Sequence, residues 1–385
     1  MSLFCPSSHS LYLPSPLPYL KNMWPILRPD ATTVLQDKQA RKSLVRYFAV
    51  MQSSKPAKFV IAKKLPAIYN PQDPLPKLWQ QHDHLTEEFT TLQQQIDTHQ
   101  KTLQDLPTPE QSYLDLKNTI AHHILQDCHL CTRQCHANRH NGELGYCKCG
   151  TQITISTIFQ HLGEEPELVP SGTIFTQGCT LKCLHCQNWT ISQWYEKGEI
   201  HTPERLAEAV EHLRQQGSRN ANLVGGDPTP WLQQWLETFK HVNTNIPIVW
   251  NSNTYYSPQT ANLLTGFADI YLLDFKYGSN QCAARISDAP DYWQACTRNH
   301  LQAKQHGELI IRILVLPQHL DCCTKPILDW IANNLGTQTR VNLMFQYRPE
   351  WRAREVPELQ RRLTNKERSL AIKLAKDAGL TNFIT

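Results

Sequence analysis

From Thr173 onward, apolar runs that end in small or polar residues alternate with segments whose apolar residues recur at helical spacing. The runs "TIFTQG", "ANLVGG", "IPIVWNSN", "DIYLLDF", "ELIIRILVL" and "RVNLMFQY" read as strands. Segments near 203–216, 230–241, 257–265, 291–306, 325–335 and 364–379 read as helices. Such alternation predicts β-α units around a parallel sheet. Six units, with polar and charged residues gathered at the C-terminal end of every strand, predict an open or partial (β/α)6 barrel over 171–385 rather than a doubly wound sheet. That rim is where chemistry is expected.

Upstream, residues 1–82 are punctuated by proline and read as an irregular and helical N-terminal extension, with one helix from Val34 to Met51. Leu92, Ile96 and Leu103, then Leu114, Leu116 and Ile120, keep helical spacing on either side of "LPTPE", predicting a helical hairpin over 83–127. A small cysteine-rich metal-binding element, 128–170, precedes the barrel. The expected fold class is thus α/β, a partial barrel with an N-terminal helical extension.

Composition changes this picture little. The 385 residues are 40% hydrophobic and 19% charged, with 25 prolines and a net charge of +4, which suits a folded enzyme and neither indicates nor excludes a nucleic-acid partner. Lys38 to Lys64 contains eight Lys or Arg and no Asp or Glu; a solvated face is expected, with an acidic partner or RNA as the alternative. No run approaches the roughly 18–20 apolar residues of a membrane span, so no membrane partner is expected. The proline-broken first twenty residues lack a basic export signal, so a cytoplasmic location is expected and clustered thiols read as metal ligands before disulfides.

The chemistry concentrates in "GCTLKCLHCQN", where Cys179, Cys183 and Cys186 stand in C-x3-C-x2-C spacing just after a strand. Soft thiolates converging on one centre suit an iron-sulfur cluster. Three thiolates on a four-iron cube leave one iron open to a substrate or cofactor, unless Cys147 or Cys149 supplies a fourth ligand. A second set, Cys128, Cys131, Cys135 and Cys147, has C-x2-C-x3-C-x11-C spacing and enough thiolates for a closed zinc site or a second [4Fe-4S] cluster. His129, His136 and His140 are expected at the surface, with substitution as a ligand the alternative. Cys5, Cys282, Cys296, Cys322 and Cys323 show no metal-loop spacing and are expected as small buried hydrophobes or incidental thiols.

The C-x3-C-x2-C loop after the first barrel strand resembles the hallmark of the radical S-adenosylmethionine (SAM) enzymes. The resemblance runs from about Asp127 to Thr385 and is nearest the pyruvate formate-lyase activating enzyme-like branch, among members with an N-terminal four-cysteine motif. That branch usually reads C-x-x-C-P where Thr132 stands here. The resemblance implies a [4Fe-4S] cluster on Cys179, Cys183 and Cys186, with SAM on the open iron. One electron then cleaves SAM to a 5'-deoxyadenosyl radical for hydrogen abstraction. It further implies SAM contacts from Gly225, Gly226 and Asp227 of "GGDP", Asn251 and Asn253 of "WNSN", Asp274 and Lys276 of "LLDFKYG", and Arg312. Asp227 replaces the more usual Glu, a shorter reach. Gln346, Tyr347 or Arg348 is expected on the substrate side. A protein or peptide substrate and an electron donor such as flavodoxin or ferredoxin are expected from the same likeness. The alternatives are a small molecule or RNA as substrate, and a non-catalytic iron-sulfur sensing or structural protein.

Overall fold

A computed structural model describes residues 23–385; Cys5 lies outside the described residues. The strands are β1 (Thr154–His161), β2 (Ser171–Thr176), β3 (Glu199–Ile200), β4 (Ala221–Gly225), β5 (Ile248–Ser252), β6 (Ile270–Asp274), β7 (Glu308–Leu314), β8 (Arg340–Met344) and β9 (Phe383–Ile384). They form one sheet in the order β3-β1-β2-β4-β5-β6-β7-β8-β9. From β2 through β9 every pairing is parallel, while β1 runs antiparallel to both β2 and β3. The six sequence-predicted strands are the parallel core of a partial barrel. Strand β1 was not predicted, because "TISTIFQH" shows no clean one-sided burial even in place.

Helices follow the strands as right-handed crossovers require. Pro203–Gln215 and Pro258–Leu264 each begin with proline at the first turn, behind Thr202 and Ser257, whose hydroxyls accept from the Arg205 and Thr260 amides. Those pairs satisfy free helix-end donors and fix where the helices start. Leu232–His241, Tyr292–His306, Lys325–Asn334 and Asn365–Asp377 complete the predicted set, and Asn280–Ser287 is an additional helix after β6.

The N-terminal extension closes the end of the barrel opposite the rim. The single helix expected from Val34 to Met51 is three pieces: the Asp37 carboxylate caps Lys38–Ser43 by accepting from the Gln39 and Ala40 amides, and Leu44 leaves helical geometry before Val45–Met51. Leu44, Tyr47 and Phe48 then pack against Val249, Ile270, Leu272 and Ile310 of β5, β6 and β7. The Glu308 carboxylate, at the start of β7, accepts from the Arg46 and Tyr47 amides at 2.7 and 2.6 Å. Arg46 pairs with Asp97 at 3.0 Å and Asp269 at 2.9 Å, and buried Lys58 donates to the Ala268 and His306 carbonyls. The basic run Lys38–Lys64 is therefore partly interior, its cations answering Asp97, Asp269 and strand-end carbonyls. That corrects its reading as a wholly solvated face: a charge count along a sequence does not see acids that fold brings from more than two hundred residues away. The helices Leu75–Asp97 and Tyr113–Ile124 form the hairpin predicted around "LPTPE", the second joined to Leu232–His241 by Gln233 Nε2 donating to Asn118 Oδ1 at 3.0 Å.

Candidate active site at the strand C-termini

The loop after β2 carries Cys179, Cys183 and Cys186, the first two buried and the third half-buried. Its path is fixed at both ends. Gly178 adopts φ +81, a left-handed conformation that glycine takes without strain, and its amide donates to the Ile191 carbonyl at 3.0 Å. The Lys182 and Leu184 amides donate to the Ser287 and Ile286 carbonyls, so the segment between the ligands is tied to the end of Asn280–Ser287. Two of the three thiols have a polar neighbour: the Leu181 amide and Asn253 Nδ2 each lie 3.4 Å from Cys179 Sγ, and Ser192 Oγ lies 3.2 Å from Cys186 Sγ. Burial pushes the Cys183 thiol up to about 11, with Lys276 opposing.

The end of β4 is pressed against this loop. A Cβ on Gly225 would sit 2.3 Å from backbone atoms of Thr176, and one on Gly226 would sit 2.1 Å from the Gly178 carbonyl oxygen. Only glycine allows that approach. Asp227 is buried and fully engaged: Oδ1 accepts from the Thr229 amide, and Oδ2 accepts from Ser252 Oγ at 3.0 Å and the Asn253 amide at 2.8 Å. Burial raises its pKa while those donors pull it down. Asp227 thus ties the β4 and β5 ends together instead of pointing into open space.

Asn251 and Asn253 lie on either side of Ser252 at the end of β5. Arg312 NH1 donates to Asn251 Oδ1 at 3.2 Å, while Asn251 Nδ2 is buried with no hydrogen-bond partner. A buried amide donor without a partner costs on the order of 1–3 kcal/mol and marks a place for a ligand acceptor. Arg312 itself is held by Glu164 and Glu165, Nε and NH2 donating to the two oxygens of Glu165 at 2.6 Å each. Its guanidinium orients Asn251. The supporting acids, in the β1–β2 connection, carried no recognisable signal in the sequence. At the end of β6, Lys276 Nζ pairs with Asp274 Oδ2 at 2.7 Å. Burial opposes the lysine charge, but Asp274 and the Cys183 thiol outweigh it and raise its pKa.

The upstream thiols form a neighbouring centre. Arg139 is buried with NH2 3.5 Å from Cys147 Sγ, and the nearby thiols, Cys147 first, favour its charge against the burial cost. Cys135 Sγ approaches the Cys128 carbonyl at 3.9 Å. Cys149, outside the four-residue set, packs against the cluster loop: a Cβ on Gly178 would fall 2.2 Å from its Sγ. His136 and His140 are exposed and His129 half-buried, and each ring bonds elsewhere, to Asp127 or to the carbonyls of Asp127 and His122.

Two further features were missed. His185, inside the C-x3-C-x2-C loop, lies with Nε2 3.0 Å from Tyr277 Oη, linking the loop to the β6 end. Cys282, Cys322 and Cys323, expected as incidental thiols, come together with His319, all four ligand atoms within 4.8 Å of one another. This corrects the sequence expectation, since partners far apart in the chain show no loop spacing. Cys296 is buried, its thiol near the Asp274 carbonyl and His300 Nδ1. Of the residues expected on the substrate side, Tyr347 is buried with its hydroxyl donating to the Leu359 carbonyl, while Arg348 lines a cavity of about 680 Å³ with Pro349, Glu350, Arg354, Gln360 and Arg362. That segment touches the cluster loop: the Arg352 amide donates to the Leu184 carbonyl at 2.9 Å, and Trp351 stacks on Trp189 with centroids 4.4 Å apart.

The donor set fits an iron-sulfur cluster and SAM: three thiols share one braced loop, two glycines open the backbone beside it, and an unpartnered amide stands at the next strand end. Residues 173–331 match the model of the radical SAM superfamily, and that stretch is a radical SAM domain. The chain is 43% identical over 343 residues to a Methanocaldococcus jannaschii protein described as uncharacterized protein MJ0674, covering 88% of this chain and 98% of that one. It belongs to the same family as that relative. Uncharacterized protein MJ0808 of the same organism is 23% identical over 274 residues, 64% of this chain and 78% of that one. Among solved structures, Streptococcus suis SuiB bound to precursor peptide SuiA aligns with TM-score 0.39 and 11% identity, over 53% of this chain and 46% of that chain. SuiB bound to S-adenosylmethionine aligns with TM-score 0.36 and 13% identity, over 54% and 48%. The chain spans about half the length of those solved chains. Among the described residues no helix is long and apolar enough to cross a membrane.

Proposed function

We propose that this chain is a radical SAM enzyme that abstracts hydrogen from a protein or peptide, in the manner of the pyruvate formate-lyase activating enzymes it resembles. The observation that carries the radical SAM reading is the joint placement of the Cys179, Cys183 and Cys186 loop, the Gly225-Gly226 approach and the orphaned Asn251 Nδ2 at adjacent strand ends. When bound, a [4Fe-4S] cluster and SAM supply one electron and a carbon-sulfur bond whose cleavage yields methionine and a hydrogen-abstracting 5'-deoxyadenosyl group. The chain's own residues do the rest. Asn251 Nδ2, held in orientation by Arg312, would donate to the bound cofactor. Asp274 and Lys276 offer an acceptor and a cation beside it, and the Asp227 bonds keep the β4 and β5 ends in register. Asn253 and the Leu181 amide hydrogen-bond a ligand sulfur, which favours the reduced state.

At the second centre, Cys128, Cys131, Cys135 and Cys147 hold a further [4Fe-4S] cluster or zinc. Four thiolates on either carry excess negative charge, and the buried Arg139 guanidinium supplies the counter-charge. Flavodoxin or ferredoxin serves as electron donor, in the cytoplasm.

A second reading of the substrate rests on one observation. The 680 Å³ cavity beside the cluster loop is lined by Arg348, Arg354 and Arg362 against a single acid, Glu350, which favours an anionic small molecule or RNA. Deuterium transfer separates the two. Anaerobically reduced protein is given SAM and either a deuterated peptide digest or deuterated anionic metabolites and oligonucleotides, and 5'-deoxyadenosine is analysed by mass spectrometry. Label arriving from peptide supports the first reading; label arriving from the anionic pool alone overturns it in favour of the second.

A further inference from the structure

We infer that Cys282, His319, Cys322 and Cys323 form a third metal site, which binds a single zinc ion. The four side chains come from two rim segments: Cys282 from Asn280–Ser287 after β6, and the others from the "HLDCC" stretch after β7. Their spacing is that of one tetrahedral ion. Four ligands about a zinc at Zn–S of about 2.3 Å and Zn–N of about 2.0–2.1 Å place sulfurs about 3.8 Å apart and sulfur about 3.5 Å from nitrogen. Here Cys282 Sγ lies 3.8 Å from Cys322 Sγ, and Cys322 Sγ 3.9 Å from Cys323 Sγ. His319 Nδ1 is 3.9 Å from Cys282 Sγ and 3.3 Å from Cys322 Sγ.

Three features of the surroundings point the same way. His319 Nε2 is buried with no hydrogen-bond partner, while Nδ1 is the ring nitrogen turned to the thiols; Glu358 Oε1, itself paired with Arg285, lies 3.8 Å from Nε2. Leu320–Thr324 is a π-helical turn, a geometry that recurs at functional sites and here sets two consecutive cysteines toward one point. Gly278 makes room for it, since a Cβ there would lie 2.7 Å from the Cys322 carbonyl oxygen and 2.8 Å from Cys323 Cα. Cys322 is exposed, which gives an ion a way in.

Binding is a ligand exchange with no redox step: Zn²⁺ sheds water, the three thiols release their protons to solvent, and neutral His319 coordinates through Nδ1. The ion staples the connections after β6 and β7, directly beyond Tyr277 and His185 from the iron-sulfur loop. Its role is to hold that side of the rim in place.

The test is a metal count on protein purified anaerobically from zinc-supplemented cells, wild type against Cys282→Ser/Cys322→Ser. The expected result is one equivalent of zinc lost per chain with iron and sulfide unchanged. Equal zinc in the two proteins overturns the site, as does a Cys282–Cys322 disulfide in protein never exposed to oxidant. Should the double variant fail to hold iron, Co²⁺ loaded into wild type and into His319→Gln decides. A shift in the visible thiolate and ligand-field bands supports the site, and identical spectra overturn it.

Discussion

Asn253 Nδ2 donates to Cys179 Sγ across 3.4 Å, so the β5 end grips the first thiolate of the loop that follows β2. The same amide group is anchored by Thr180 Oγ1 at 2.9 Å, and its backbone N–H by Asp227. A hydrogen bond to a ligand sulfur stabilises the electron-rich state of a cluster. Asn253→Ala is therefore expected to keep its iron and to lower the cluster potential. Losing roughly 1 kcal/mol of this interaction corresponds to about 40 mV for one electron. Redox titration followed by electron paramagnetic resonance measures it; an unchanged potential would show that the contact is structural only.

Arg312 is the sole cation on Glu164 and Glu165 among the described residues besides His161, which reaches Glu164 at 3.0 Å. Removing it leaves buried carboxylates uncompensated, a change that typically costs about 3–5 kcal/mol. Arg312→Gln should unfold at correspondingly lower denaturant and should weaken SAM binding through Asn251. Arg312→Lys should recover part of the stability but little of the SAM affinity, because one ammonium cannot bridge both acids and the amide. Equal SAM affinity in all three proteins would remove Arg312 from the site.

Lys58 gives a pH signature at the closed end of the barrel. Burial is the leading cause that brings its pKa down to about 8, with Asp269 opposing, whereas in the unfolded chain it returns to the ordinary 10.5. Between those values the unfolded state holds the extra proton, so the strain of burying the charge is full below about 8 and is relieved as pH rises toward 10.5. Wild type should gain on the order of 1–3 kcal/mol relative to Lys58→Met across that window. A stability difference that stays flat with pH would mean the amine titrates normally.

The strand ends were legible because their polarity is local: "GGDP", "WNSN" and "LLDFKYG" each close an apolar run, and the loop of Cys179, Cys183 and Cys186 is contained in one short segment. What local pattern could not show are relationships set by the barrel's closure. Arg312, expected as a SAM contact, also pairs with Glu164 and Glu165 and donates to Asn251, a network that local pattern could not show because its acids lie in the β1–β2 connection. Cys282 and Cys322 stand forty residues apart and meet only when the turns after β6 and β7 converge. His319 stands three residues before Cys322, and that spacing acquires meaning only once Cys282 is brought beside it. Arg46 and Lys58 looked like surface charge until Asp269 was placed beneath them.

The central claim is tested most directly by reductive cleavage of SAM. Wild type and Cys183→Ala are reconstituted with iron and sulfide, reduced anaerobically and mixed with SAM, and both products are quantified by chromatography. Wild type is expected to release methionine and 5'-deoxyadenosine in equal amounts, and the variant neither. Wild-type protein carrying an intact, reducible cluster that leaves SAM uncleaved would contradict the account.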